Sequence, residues 1–445
     1  WKVRAAAKKD GTILGVDATY WHDNGAYIRT HGATVPDLAA AMLPGPYRIP
    51  AYRATGHIRL TNKTPCGTYR SPGRYESTFV RERLLDAVAE KTGHSRAEVR
   101  RRNFVMPAQM PFKRGVDTLG TEVVLDSGDY PKLLARAFES FGWNAVETDV
   151  ARRRAAGERV GAGFACFVEK SGLGPFDGVR VTVGETGHVE VVTGVASIGQ
   201  GVETAMAQIA ADELGIDYER IAVRHGRTDL IDFGMGAFAS RVTVMTGTAT
   251  QLACQKVRAK ALGVASELLQ APEEELELAD GVVSRRGGAA GAKASVTLAE
   301  IARALGPASP QRGGRDPGLT AEGWFNTHHM NYPYGVHFAV VRVDAETGGI
   351  AVERLAVAYD IGRAVNPMLV EGQIVGGVAQ GLGGALLERF DYDEHGQPRA
   401  ATLVDYLLPT ALDVPAIGIL VCEDAPTPSN PLGAKGMGES GLLGM

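Results

Sequence analysis

The sequence predicts an α+β fold, and three observations carry that reading. Hairpin signals and amphipathic helices are interleaved along the chain. Regular strand–helix–strand alternation is missing, which disfavours a doubly wound parallel sheet. The chain has 445 residues, of which 44% are hydrophobic and 22% charged. That is enough for roughly two to four folded domains. A net charge of −4 offers no broad surface for nucleic acid, and no apolar run reaches the length of a membrane span.

Trp1 to Arg4 reads as a strand in progress, without a signal peptide. Because the first residue is not Met and the last residues stop just past an acidic loop, one piece of a larger polypeptide is expected. Lys9-Asp10-Gly11 is a hairpin turn leading into a strand over residues 12–20. Pro72-Gly73 leads into a helix over 77–91, with Phe79, Val80, Leu84, Leu85 and Val88 at helical spacing. Gly93 ends it, and a basic helix follows over 95–103.

Residues 145–160 are charged, with Arg152-Arg153-Arg154 before Gly157. A domain boundary is placed there, giving domains 1–150 and 151–445. Residues 160–195 alternate like paired strands, with a turn at Gly184-Glu185-Thr186-Gly187. Helices are expected over 203–214, 250–270 and 297–305, with a glycine- and alanine-rich loop tip at 287–291. Strands return at 336–343 and 352–359. A helix over 373–390 holds Gly376, Gly377, Gly381, Gly383 and Gly384. Each glycine weakens a helix by roughly 1 kcal/mol relative to alanine, so backbone or a ligand is expected to approach closely.

Five stretches bear on chemistry. The run from Asn430 to Gly441 carries one carboxylate, Glu439, with Gly436, Gly438 and Gly441 within three residues of it. Glycine lets backbone approach a ligand closely. Thr64 to Arg74 offers Arg70 in a turn at a helix entrance, suited to an anion or simply a surface arginine in an ordinary loop. Gly199-Gln200-Gly201 stands where a helix begins and free amides await an acceptor; a tight turn with a polar cap is the alternative. Phe238, Ala239 and Ser240 precede another helix, which Ser240 would cap on the simpler reading. Gln380 sits in the glycine-rich helix, either contacting a ligand or at the surface.

Other chemistries find little support. Cys66, Cys166, Cys254 and Cys422 form no CxxC pair and no metal-ligand spacing. This fits a reducing compartment, and an iron–sulfur cluster on this chain alone is not expected. His328 and His329 are adjacent and would not share a helix face. Neither HExxH nor a Gly-x-Ser-x-Gly elbow is present.

Taken together, TYRSPGR, GQGVET, GAFASR, DIGRAVNP with EGQIVGGVAQGLG, DYLLPT and GAKGMGES appear in one order. That order resembles the molybdenum hydroxylases, the xanthine dehydrogenase, aldehyde oxidoreductase and aerobic carbon monoxide dehydrogenase group. The match is to the later part of their molybdopterin-binding large subunit. The resemblance implies two elongated mixed α/β domains and oxidative hydroxylation of an aldehyde or N-heterocycle with water as oxygen source. Glu439 is then the general base on a molybdenum-bound hydroxide. Arg70, Gly199, Gln200, Gly201, Phe238, Ala239, Ser240, Gln380, Gly436 and Gly438 are implied cofactor contacts. The metal is held by the pterin dithiolene rather than by the protein.

A cytosine dinucleotide cofactor is expected, with 2Fe-2S and FAD on partner subunits or domains, a dimer of heterotrimers and a cytoplasmic location. Ser71 stands where the carbon monoxide enzymes carry a copper-binding cysteine, which disfavours that activity. The first half of the subunit, with its pocket glutamine and substrate-reading residues, lies outside this sequence. Rival readings are a catalytically inactive molybdopterin-binding or carrier homologue and a metal-free nucleotide-phosphate enzyme.

Overall fold

The computed structural model describes residues 1–29, 31–287 and 294–444. The expected glycine–alanine loop tip lies, except for Gly287, outside the described residues.

Strands β1 (Lys2–Ala7) and β2 (Ile13–Asp23) form the expected hairpin around the Lys9-Asp10-Gly11 turn. Helix α1 (Thr34–Met42) then carries the chain to β3 (Ala51–Arg59), which runs parallel to β2. Helix α2 (Arg74–Thr92) is bounded by Gly73 and Gly93, both in the left-handed region. Ser95 caps α3 (Arg96–Asn103) by accepting from Glu98 N.

The apolar stripe expected on α2 is only partly what the fold buries. Phe79 is 65% exposed, whereas Arg81 and Glu82 are buried. Glu82 takes Arg81 Nε at 3.0 Å, Arg100 Nε at 2.8 Å and the Cys166 backbone N–H at 2.9 Å. A buried acid satisfied on this many sides is tolerated where a bare one would not be. This network, rather than hydrophobic periodicity, sets which face of α2 turns inward.

A hairpin of β4 (Phe112–Thr118) and β5 (Thr121–Leu125) precedes helices α4 (Tyr130–Phe141) and α5 (Trp143–Ala155). On α4, Asp129 caps the amide of Lys132, and Tyr130, Leu133, Leu134 and Ala137 face the core at helical spacing. The charged stretch around residue 150 is not a linker loop. It is the last turn of α5, where three arginines oppose the helix carbonyl end. Trp143, Val146 and Val150 bury the other face, and Arg153 pairs with Glu353 at 2.6 Å.

Next come β6 (Val160–Val168), β7 (Phe176–Val183) and β8 (Val189–Thr193). The β7–β8 hairpin forms as expected, but β6 belongs to a different sheet. Helix α6 (Val202–Leu214) leads to β9 (Ile221–Arg224), parallel to β8. A π-helical turn at Thr243–Gly247 runs directly into α7 (Thr248–Leu269). A small sheet of β10 (Leu276–Ala279), β11 (Val282–Arg285) and β12 (Ser295–Thr297) precedes α8 (Leu298–Ala304). Strand β13 (Leu319–Asn326) joins the order β13-β7-β8-β9. The small residues Ala249 and Ala253 on α7 let the strand come so close that a Cβ on Gly323 would strike the Ala249 carbonyl.

The last sheet has the order β16-β15-β14-β6, from β14 (Tyr334–Val343), β15 (Ile350–Asp360) and β16 (Ile417–Cys422). Helix α9 (Pro367–Leu382) joins β15 to β16. It starts six residues earlier than the sequence reading placed it, since Asn366 caps the amide of Leu369 and Pro367 takes the first helical position. It ends in a second π-helical turn, Gly383–Leu387.

The sheets are therefore mixed. Three isolated parallel pairs, β2/β3, β8/β9 and β15/β16, are each bridged by one helix. One of the hydrophobic clusters contains Leu134 and Val146 together with Phe164, Tyr334 and Val336, so α4 and α5 pack on β6 and β14. No helix among the described residues is long and apolar enough to cross a membrane.

Candidate active site

In parallel α/β units, ligands gather where chain leaves the carboxyl ends of strands. Here the three loops after β2, β8 and β15 open onto one cavity of about 700 Å³, through His31, Gly199 and Arg363 respectively. The loops holding Arg70 and Ser240, and the terminal loop holding Glu439, complete its wall. Of the residues implied as base or cofactor contacts, all line this cavity except Gln380.

Glu439 is held from several sides. Its Oε1 lies 3.4 Å from the Ser71 N–H and 3.3 Å from Arg74 Nη2. Its Oε2 accepts from Ser240 Oγ at 3.2 Å. The Ser71 hydroxyl donates to the Glu439 carbonyl. The side chain keeps 16% of its surface exposed. Ser71, Ala239 and Ser240 all have φ near +50°, at 56°, 48° and 49°. Three non-glycine residues in the left-handed region around one acid mark a place where the fold holds strain. Ser240 therefore does not cap the following helix; the fold turns its hydroxyl to Glu439 instead.

Arg70 faces the cavity, but its guanidinium is committed to the protein. It donates to the Gly438 carbonyl through Nε at 2.7 Å, to Gln373 Oε1 at 3.1 Å and to Gln380 Oε1 at 3.4 Å. Burial pushes it below the usual arginine range, with Glu439 opposing. Gln380 thus supports Arg70 from behind the wall. Gln373, two turns earlier on the same face of α9, lines the cavity itself. The seven-residue spacing of the two glutamines was a signal the sequence reading did not use.

The glycines divide into two kinds. A Cβ on Gly436 would collide with the Ser240 carbonyl, and one on Gly377 would lie 2.7 Å from Gly441 Cα. These close approaches are between protein backbones, not to a ligand. Gly199 and Gly201, at φ 101° and 83°, serve the cavity. Gly201 starts α6 without any side-chain cap, leaving first-turn amides free for an acceptor. Gln200 folds back, its Oε1 accepting from Ile198 N at 2.8 Å. Phe238 is 40% exposed and lies over the buried Arg241, which pairs with Asp177 at 3.1 Å.

Arg74, Gln373, Asn331 and Glu169 were missed. Asn331 accepts from the Gly436 N–H at 2.8 Å, and Arg74 pairs with the fully buried Glu169 at 2.6 Å. Arg74 stood in a quoted motif, whereas Glu169 and Asn331 carried no local sequence signal. Cys66 is exposed, with its thiol on the Asp23 carbonyl, and does not line the cavity.

The residues present fit a large phosphate-bearing cofactor. The cavity lies within the range of about 300–1,000 Å³ typical of ligand sites. The uncapped start of α6 suits a phosphate. Among the described residues no cluster of three His, Cys, Asp or Glu could hold a metal ion, so a metal beside Glu439 needs ligands that a cofactor brings.

Comparison with known proteins agrees. Two models described as molybdopterin cofactor-binding domain match residues 1–104 and 136–415. Subunit gamma of the 6-hydroxypseudooxynicotine dehydrogenase complex of Paenarthrobacter nicotinovorans is 42% identical, over 99% of this chain and 55% of its own length. The carbon monoxide dehydrogenase large chain of Hydrogenophaga pseudoflava is 33% identical, over 99% and 55%. The crystal structure of quinoline 2-oxidoreductase from Pseudomonas putida 86 superposes with a TM-score of 0.90 at 34% identity, over 99% of this chain and 57% of that one. The chain belongs to the molybdopterin cofactor-binding family, in the large-subunit type of the molybdenum hydroxylases. It spans about 55% of the length of these curated relatives.

Proposed function

We propose that the chain supplies the cofactor cradle and the general base of a molybdenum hydroxylase acting on an aldehyde or N-heterocycle, with water as the oxygen source. The observation that carries this is Glu439, which sits at the wall of the cavity with both oxygens steered and part of its surface open. Bound there, molybdopterin supplies an activated oxygen and takes up the substrate's electrons. Glu439 accepts the proton released as the new C–O bond forms, an effect typically worth about 10²–10⁴-fold. Ser240 and Ser71 fix the carboxylate, and Arg70 fixes the Gly438 carbonyl beside it. The amides after Gly201 and the side chain of Gln200 bind the phosphate end, with a cytosine dinucleotide as the expected form. The exposed face of Phe238 would hold the ring system.

The electrons would leave to 2Fe-2S and FAD partners, in a cytoplasmic dimer of heterotrimers. The division into two cofactor-binding domains near residue 150 belongs to the same proposal. Relatives named for nicotine and quinoline support an N-heterocycle as the first substrate class to try. Ser71, committed to the Glu439 carbonyl, stands against copper-dependent carbon monoxide oxidation.

The test is turnover of the complete complex in water enriched in the heavy oxygen isotope, with aldehydes, N-heterocycles and an artificial electron acceptor. Heavy oxygen in the product, together with molybdenum in the complex, is expected. A molybdenum-loaded complex that oxidises none of these, or that yields unlabelled product, contradicts the proposal.

A further inference from the structure

Glu439 is not the only acid at Arg74. Glu169, at the end of β6, has no exposed surface and does not line the cavity. Arg74 Nη2 lies 2.6 Å from Glu169 Oε1 and 3.3 Å from Glu439 Oε1. One guanidinium nitrogen, itself on a side chain only 3% exposed, therefore serves two carboxylates from opposite directions in the sequence. Neither Glu169 oxygen has a well-formed hydrogen bond, and neither has the adjacent Ser440 hydroxyl. The groups facing Glu169 are Arg74 from α2, Arg70 from its loop, Tyr359 from β15, and Ser440 and Glu439 from the terminal loop. Arg70 is engaged with Gly438, Gln373 and Gln380.

The two acids differ in one respect that decides where charge rests. Glu169 is sealed from solvent, while Glu439 keeps 16% of its side chain open to the cavity. Ionising a sealed carboxyl beside a second carboxylate is costly.

We propose that Glu169 is a positioning residue for the base: it holds a proton on the sealed side, keeps Arg74 in place through its carbonyl oxygen, and leaves the pair's negative charge on Glu439 at the cavity. The idea rests on the reading of Glu439 as the base. No bond other than O–H is involved. The proton on Glu169 stays there through turnover, and the proton taken from the reacting centre goes to Glu439. Burial raises the Glu169 carboxyl to about 8, with Glu439 adding to the shift and Arg74 opposing it. Above that pH Glu169 ionises and draws Arg74 to itself.

The experiment compares Glu169→Gln, which imitates the protonated acid, with Glu169→Ala in the full complex. Glu169→Gln is expected to keep at least about tenfold more kcat/KM than Glu169→Ala, and to lack the alkaline fall in rate that the proposal predicts for the wild type near pH 8. Infrared spectroscopy gives a readout independent of turnover. The wild type should show a buried carboxylic acid band at neutral pH, lost in Glu169→Gln. With its charged neighbour gone in Glu439→Gln, Glu169 should lose the band at a lower pH than in the wild type. A Glu169→Gln enzyme as impaired as Glu169→Ala, or a wild type without that band, overturns the proposal and identifies Glu169 as a plain structural partner of Arg74. If no molybdenum-dependent turnover exists at all, the base reading fails, yet the infrared comparison still decides where the proton sits.

Discussion

At the scale of single residues, one acid is held by three groups, Ser71, Arg74 and Ser240, from two separate stretches of chain. The acid and the Ser240 stretch were legible because short motifs displayed them. The partners that steer Glu439 were less so. Arg74 lay inside a quoted motif but looked like a helix residue. Glu169 follows an ordinary strand, and nothing local marks it. The role of Gln380 was read one step too close to the ligand, since it supports Arg70 while Gln373 faces the cavity. Arg70 is expected to matter through the terminal loop it pins. Arg70→Ala frees the Gly438 carbonyl and Gln373, each net hydrogen bond to a charged group being worth about 1.5–3 kcal/mol. Reduced molybdenum per complex or an altered molybdenum resonance signal is predicted; wild-type metal content with an unchanged spectrum would count against the role.

At the scale of elements, helices with strong caps were read well and those with unusual faces were not. Glycine at both ends of α2 and the Ser95 cap of α3 placed their boundaries within a few residues. The inward face of α2 could not be read, because a long-range ion network with Arg100 overrides its apolar spacing. The arginine run, where a domain boundary was placed, is the last turn of α5. The glycines of α9 predicted a close approach by backbone or a ligand, and at Gly377 it is backbone, the terminal loop at Gly441. Gly377→Ala should force the two backbones apart, at a cost of about 1–3 kcal/mol typical of overpacking. A lower Tm with loss of turnover is expected from a thermal melt and a rate assay; a variant that melts with the wild type would show that the contact is loose.

At the scale of the whole molecule, three helix-bridged parallel pairs send their loops into one cavity. That convergence was hidden from the sequence, since each unit is separated from the next by unrelated elements. The ordered motifs nonetheless indicated that they serve one ligand. The site also rests on a buried histidine. His337 is sealed, stacks on Phe167 at 5.1 Å, and would touch a Cβ at Gly444, close to the acidic loop. Burial lowers its pKa to about 3, against 6.5 for an ordinary histidine. The unfolded chain therefore takes up this proton first, and the folded state loses stability as pH falls from about 6.5 towards about 3. The stability difference between wild type and His337→Phe should shift against wild type by about 1.4 kcal/mol per pH unit across that window. A difference independent of pH in chemical denaturation would refute the assignment.

The most direct measurement is the turnover of Glu439→Gln in the complete complex, with molybdenum and pterin assayed on the same sample. The account predicts cofactor content at the wild-type level and a rate lower by about 10²–10⁴-fold. A fully loaded variant that turns over near the wild-type rate would contradict it.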